Sequence, residues 1–300
     1  MSRIATSLGP LQVREVGSGQ PALLWPSLFV DSDSWKRVEP GLAEHRHLVL
    51  IDGPGHGMSG DPGHRYTQLD CAAAAIEVLD ALGITEPVDW LGNAWGGHVG
   101  IHAATEHRER VRSLVTIGTP VAPYTPAERR RTRFLLAIFR LLGPIGFLQD
   151  GVATVLLSPS TRAADPEAVA YVKGRLAAAD RRMLANAVES ISLGRVDITN
   201  RLPRIAVPTM FITGSDDPGF TPDQARAAIA LVPNGRVAIV PDAAYLPPLE
   251  RPAEVLRLVL GFWADMGADG QPMSPADQTA ARPFIGSAVS TASMAASPPA

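Results

Sequence analysis

The chain has 300 residues, a net charge of −3 and one cysteine, and these numbers narrow the class of protein. The near balance of 27 basic and 30 acidic residues argues against a dedicated nucleic-acid-binding protein, which would carry a basic excess. A hydrophobic content of 46% suits one large α/β domain with a sizeable core. Because Cys71 is the only cysteine, the chain has no internal disulfide and no multi-cysteine zinc site.

No segment of the sequence predicts a membrane crossing. The longest apolar runs, such as residues 134–139, are far shorter than the ~20 residues that a bilayer-spanning helix needs. The first residues lack the apolar stretch of a secretory signal. We therefore expect a cytoplasmic protein.

Short apolar runs rich in Val, Ile and Leu alternate with longer helical patterns along most of the chain. In chain order the predicted elements are strands at 12–16, 22–25 and 47–51, a helix at 68–82, a strand at 88–91, a helix at 95–107, strands at 113–117 and 209–213, a helix at 222–232, a strand at 236–240 and a helix at 252–263. This alternation predicts a mostly parallel central sheet with helices on both faces.

The alternation stops between about residues 119 and 200, where the pattern is helical and broken by prolines. We interpret residues 121–200 as an inserted helical lid between two parts of the core, 1–120 and 201–266. The arginines that begin the insertion, at 129, 130, 131 and 133, indicate a solvated helix face or a patch for an acidic ligand. Residues 267–300 are rich in small residues, proline and serine, and are predicted to be disordered.

Four stretches resemble motifs of the α/β-hydrolase family and occur in that family's order. They are WPSLFVDSDSW at 25–35, IDGPGHGMSG at 51–60, WLGNAWGGHVG at 90–100, and FITGSDD with VPDAAYLPPLERP within 209–252. The resemblance implies an α/β-hydrolase fold and places Ala94 where the family carries its nucleophile. It also implies Asp217 as the acid, with Asp216 as the alternative register, and Tyr245 at the histidine position.

The resemblance further implies an oxyanion hole formed by the backbone N–H groups of Leu28 and Trp95. Asn93 and His98 flank the turn and are candidate ligand-binding residues, although a packed core histidine is the alternative for His98. His56, inside the second motif, is interpreted as structural.

Alanine offers no heteroatom for attack, and a phenol with a pKa of about 10 does not accept a proton near neutrality. An ordinary acyl-enzyme mechanism is therefore not expected. We predict that the Tyr245 hydroxyl bonds to Asp217 and that Ala94 leaves a small apolar niche for an oxygen-containing apolar ligand.

Our first functional prediction is a non-hydrolytic binding protein or pseudoenzyme, which leaves open whether the chain is an enzyme. One alternative is a cofactor-independent lyase, isomerase or cyclase that uses Tyr245 and Asp217. Another is a hydrolase of small esters, lactones or epoxides with a displaced catalytic set. The last alternative is a protein that binds a partner through its apolar segment 133–147. No metal-ligand spacing or complete dinucleotide motif is present in the sequence, so no metal or cofactor is expected.

Overall fold

Eight strands form one sheet within residues 1–266, the part of the chain that the computed structural model describes. The strands are β1 (Ser2–Thr6), β2 (Gly9–Val16), β3 (Pro21–Trp25), β4 (His47–Ile51), β5 (Val88–Asn93), β6 (Val111–Ile117), β7 (Thr209–Gly214) and β8 (Gly235–Val240). Their order across the sheet is β1-β2-β4-β3-β5-β6-β7-β8. β2 runs antiparallel to both β1 and β4, and every other neighbouring pair is parallel.

Helices cover both faces of this sheet. They are α1 (Glu39–Ala43), α2 (Gln68–Ala81), α3 (Trp95–Glu106), α4 (Pro126–Leu142), α5 (Gly146–Leu156), α6 (Pro159–Ala164), α7 (Pro166–Ala178), α8 (Arg181–Ala187), α9 (Pro222–Ile229), α10 (Pro247–Glu250) and α11 (Pro252–Ala264). One apolar core lies between the sheet and α2, α3 and α9, and a second lies between the sheet and α1 and α11. The prediction of a mostly parallel sheet covered on both faces is confirmed.

Each predicted strand and helix is present, with ends that differ by a few residues. β1 was not predicted because its five residues form an edge strand with little burial, and the apolar alternation is weak there. The region between β6 and β7 contains α4 to α8 and the π-helical turn Val188–Ser192, and its role as a lid stays a prediction. The predicted disordered tail, 267–300, lies outside the described residues.

In the described part of the chain, every helix is too short or too polar to cross a lipid bilayer.

A buried carboxylate, Glu250, fixes the loop that follows β8. Its Oε1 accepts the N–H of Ala244 at 2.8 Å and that of Leu246 at 3.3 Å. Its Oε2 accepts the N–H of Ser158 at 2.7 Å, and Ser158 is the N-cap of α6. One side chain therefore ties this loop to the helical region between β6 and β7.

We expect Glu250→Gln to lower the free energy of unfolding by roughly 1–3 kcal/mol, because its amide group would turn a donor toward backbone N–H donors. Urea unfolding followed by circular dichroism measures this loss. Glu254→Gln is the matched control: Glu254 forms an exposed pair with Arg257, and such a change costs less than about 1 kcal/mol. Similar losses in both variants would contradict the role assigned to Glu250.

Candidate active site

Ala94 lies in a strained turn that joins β5 to α3. Its backbone has φ 48° and ψ −97°, a conformation that is unfavourable for a residue with a Cβ. A methyl group on Gly92 would lie 2.1 Å from the carbonyl oxygen of Gly96, and one on Gly96 would lie 2.0 Å from that of Trp25. The glycines therefore allow β3, β5 and α3 to approach one another closely around Ala94.

Two backbone N–H groups near this turn, those of Leu28 and Trp95, have no hydrogen-bond acceptor within residues 1–266. Trp95 is the first residue of α3, and the first N–H groups of a helix have no partner inside it. Leu28 lies in the loop that follows β3 and is almost completely buried. The two donors resemble a pair that could bind a developing oxyanion.

His56 holds the loop that carries Leu28. Its Nε2 accepts the N–H of Phe29 at 3.2 Å, and its Nδ1 donates to the carbonyl oxygen of Pro54 at 3.1 Å. Burial lowers the pKa of His56, so the ring is neutral and both nitrogens are satisfied. Phe29 has φ 72°, and this hydrogen bond stabilises the unusual conformation. The geometry supports the structural interpretation of His56.

Asp217 is buried and uses only one of its two carboxylate oxygens. Oδ1 accepts the N–H groups of Gly219 at 2.8 Å and Phe220 at 2.9 Å. Oδ2 is buried with no hydrogen-bond partner. Desolvation raises the pKa of Asp217 to about 7, and the charge of Glu250 acts in the same direction.

The alternative acid, Asp216, does not share these surroundings. It is exposed and accepts a hydrogen bond from the hydroxyl of Ser215 at 3.0 Å. The geometry therefore favours Asp217 as the residue with unusual chemistry.

The predicted hydrogen bond between Tyr245 and Asp217 is wrong. Among the described residues no hydrogen bond joins the two side chains, although they are near each other. A methyl group placed on Gly219 would lie 3.5 Å from both Asp217 Oδ1 and Tyr245 Cε2. The Tyr245 ring and the carboxylate therefore both lie beside Gly219 without a hydrogen bond between them. Burial, together with the neighbouring Tyr124, raises the pKa of Tyr245 above its ordinary value, so the phenol is neutral.

Asn93 and His98 both form structural hydrogen bonds. Asn93 Nδ2 donates to the carbonyl oxygens of Ile117 and Tyr245, each at 3.0 Å, and so joins the ends of β5 and β6 to the loop after β8. His98 Nε2 donates to the carbonyl oxygen of Pro120 at 2.7 Å, and burial lowers its pKa to about 3. The alternative of a core histidine is favoured for His98, and a ligand-binding role for either residue stays a prediction.

A cavity of about 180 Å³ lies beside the Leu28 loop and under α7 and α8. Its lining includes Phe29, His56, Arg175, Leu176, Met183 and Leu184. Neither Ala94 nor Tyr245 lines this cavity, so it is not the niche expected directly above Ala94. Phe29, which follows Leu28 in the chain, lines the cavity, whereas Leu28 and Trp95 do not.

Arg195 was missed by the sequence analysis. It follows the π-helical turn, and its guanidinium lies 4.3 Å from the centre of the Tyr124 ring. Its Nε is buried with no partner among the described residues. Its charge partly offsets the rise in the pKa of Tyr245 that burial causes, and it adds to the lowering of the pKa of His98, so it lies near both side chains. A single arginine at the end of a helical insertion gives no sequence signal of this position.

Comparison with known proteins shows that this chain is similar to one protein family and to several hydrolases. The sequence matches the model of the alpha/beta hydrolase family over residues 22–258. A 2-hydroxy-6-oxononadienedioate/2-hydroxy-6-oxononatrienedioate hydrolase of Cupriavidus pinatubonensis is 27% identical over 253 residues, which cover 82% of this chain and 84% of that protein. A 2-hydroxymuconate semialdehyde hydrolase of Pseudomonas putida is 30% identical over 242 residues, covering 75% and 80% respectively.

Solved structures show the same fold. A thermophilic esterase from Thermogutta terrifontis has a TM-score of 0.81 at 25% identity and covers 88% of this chain and 98% of its own. The enol-lactonase from Burkholderia xenovorans has a TM-score of 0.78 at 23% identity and covers 85% and 96%.

These comparisons correct the functional prediction. The prediction of a non-hydrolytic binding protein or pseudoenzyme is wrong, because the two relatives described above, which align with 82% and 75% of the chain, are named as hydrolases. The prediction gave most weight to the missing hydroxyl and imidazole and too little to the backbone donors and the carboxylate that remain. Of the alternatives, the comparisons favour the hydrolase.

The raised pKa of Asp217 predicts that its contribution to stability falls as the pH rises from about 4 to about 7. In this window the folded state binds a proton at Asp217 that the unfolded state, with a pKa of about 3.9, has lost. The contribution of Asp217 to stability is complete at pH values below its pKa in the unfolded state. It is lost as the pH rises through its pKa in the folded state. Asp217→Asn should remove this pH dependence, whereas Asp216→Asn should retain it.

Urea unfolding of the three proteins at several pH values between 4 and 8 measures this difference. Parallel pH profiles for the wild type and Asp217→Asn would show that Asp217 titrates at its ordinary value.

Proposed function

The chain belongs to the α/β-hydrolase family, and on this basis we propose that it hydrolyses small carbonyl compounds by activating water instead of a serine hydroxyl. The observation that carries the proposal is the buried Asp217, which has one unpartnered oxygen and a pKa of about 7. A general base works best when its pKa is close to the operating pH. Asp217 therefore combines an available lone pair with suitable basicity.

In this proposal the nucleophile and histidine positions are replaced by Ala94 and Tyr245. The methyl group of Ala94 cannot attack a carbonyl, and a partly buried neutral phenol does not accept a proton. Alanine is smaller than serine by one hydroxyl group. In this proposal a water molecule held by the unpartnered Asp217 Oδ2 is the nucleophile.

The reaction then proceeds without a covalent intermediate. The carbonyl oxygen of the substrate accepts the N–H groups of Leu28 and Trp95, which stabilise the negative charge that develops on it. Asp217 takes a proton from water while the water oxygen bonds to the carbonyl carbon. The resulting oxyanion collapses, the bond to the leaving group breaks, and the leaving group takes the proton from Asp217.

Two features support a substrate that carries a carboxylate. Arg195 has no carboxylate partner within hydrogen-bonding distance among residues 1–266, and its buried Nε is unpartnered. The names of the relatives from Cupriavidus pinatubonensis and Pseudomonas putida describe acids with short unsaturated carbon chains. The apolar side chains of Phe29, Leu176 and Leu184 in the cavity suit such a chain. The proposed substrate is a small carbonyl compound with an apolar chain and a carboxylate.

Asp217→Asn should lower kcat/KM by about 10²–10⁴-fold, the usual effect of removing a general base. The wild-type rate should rise with pH through about 7, because only the ionised form of Asp217 accepts a proton. Spectrophotometric assays with 2-hydroxymuconate semialdehyde and p-nitrophenyl acetate measure both effects.

Asp216→Asn is the matched control, because it removes an adjacent but exposed carboxylate. It should retain the wild-type rate and pH profile. Equal rates for the wild type and Asp217→Asn on a probe that is hydrolysed would contradict the proposed mechanism.

A further inference from the structure

The helix α4 has one buried and one exposed apolar face. A Thr125 capping box begins the helix, and Gly143, with φ 79°, ends it. Leu136 and Phe139 are buried against the rest of the protein. Most apolar residues of a surface helix are expected on such a core-facing side.

The opposite face of α4 is apolar as well. Phe134 and Leu141 are 65% and 77% exposed, and with Ala137 they follow the i, i+3, i+7 spacing of one helix face. Leu142 at the end of α4 and Phe147 in the first turn of α5 are each more than half exposed. These five residues are called the α4 patch. A single exposed apolar residue is common, but a cluster of large ones on one face marks an interaction surface.

Arginines surround the α4 patch. Arg130, Arg131 and Arg133 are exposed and form no ion pair with an acidic residue among residues 1–266. The whole helix contains five arginines, and Glu128, which is held in the capping box, is its only acidic residue. A strongly cationic helix in a chain of net charge −3 indicates an anionic partner.

We propose that the α4 patch binds the surface of a bilayer that contains anionic phospholipid. Apolar side chains of an amphipathic helix enter the boundary between headgroups and acyl chains, while arginines on its flanks bind phosphate groups. Helical spacing places Arg133 and Arg140 on one side of the Phe134–Leu141 stripe and Arg131 on the other. This arrangement fits a flat, negatively charged surface.

A groove next to the patch has the same chemistry. Its volume is about 510 Å³, and its lining consists of Leu136, Ala137, Leu141, Leu193, Arg133, Arg140 and Glu189, the last of which pairs with Arg140. The apolar side chains suit a lipid acyl chain, and the guanidinium of Arg133, which forms no ion pair among residues 1–266, suits a phosphate. A symmetric contact between two copies would instead place the unpaired arginines of both patches close together, which is unfavourable.

Flotation of the full-length protein with lipid vesicles tests the proposal. We expect binding to vesicles of equal parts phosphatidylglycerol and phosphatidylcholine, and little binding to pure phosphatidylcholine. Both the double change Phe134→Ser with Leu141→Ser and the triple change of Arg130, Arg131 and Arg133 to Glu should weaken binding about tenfold or more. Salt at about 1 M should also weaken it, because the Debye length is then about 3 Å.

Matched controls change the same residue types elsewhere. Leu231→Ser alters an apolar side chain that is 42% exposed, and Arg108→Glu alters an exposed arginine outside α4. Both should bind vesicles as the wild type does, and thermal unfolding by circular dichroism should show that all variants are folded.

Equal binding to both kinds of vesicle, or wild-type binding by the patch variants, would overturn the proposal. A lipid-independent dimer in sedimentation that Phe134→Ser with Leu141→Ser abolishes would also overturn it, because the patch would then be occupied by a second copy.

Discussion

The close approach of β3, β5 and α3 around Ala94 is the constraint on which the proposed site depends. Glycines on both sides of the turn remove every Cβ that would hold these elements apart. The turn then adopts a backbone conformation that costs on the order of 1–3 kcal/mol for a residue with a side chain. The strained conformation is present although Ala94 carries only a methyl group. What the turn provides is therefore the position of its backbone groups. It places the free N–H of Trp95 at the start of α3, near the loop of Leu28.

The second constraint is electrostatic. Asp217 is buried, no cation among residues 1–266 lies beside it, and two backbone N–H groups at one oxygen compensate only part of the desolvation. The neutral phenol of Tyr245 nearby adds no charge that would balance that of the carboxylate. A carboxylate in this position is a stronger base than one on the surface, and its free oxygen has to be satisfied by water or by a ligand. The same surroundings that destabilise its charge therefore supply the basicity that the proposed reaction needs.

Much of the fold could be predicted from the sequence, and so could the strand-to-helix turn at Ala94, whereas the roles of the site residues stay predictions. Local backbone geometry requires glycines within residues 90–100 and apolar runs that end at Asn93 and Gly214. Such local requirements are visible in short sequence motifs. The orientation of the Tyr245 ring could not be predicted, because it depends on packing against residues far away in the chain. The same holds for Arg195, which the folding of the helical insertion brings toward the site. The functional prediction failed because it gave most weight to the two missing side chains, although the backbone donors of Leu28 and Trp95 were already expected from the motifs.

The central claim is that hydrolysis here uses water and forms no covalent intermediate at Ala94. The most direct measurement combines turnover of p-nitrophenyl acetate with fluorophosphonate labelling of the same sample, read by intact-mass spectrometry. We predict that the wild type turns over the ester without acquiring the label, and that the double variant Ala94→Ser with Tyr245→His becomes labelled at position 94. Labelling of the wild type at a defined residue, together with loss of turnover, would contradict the account.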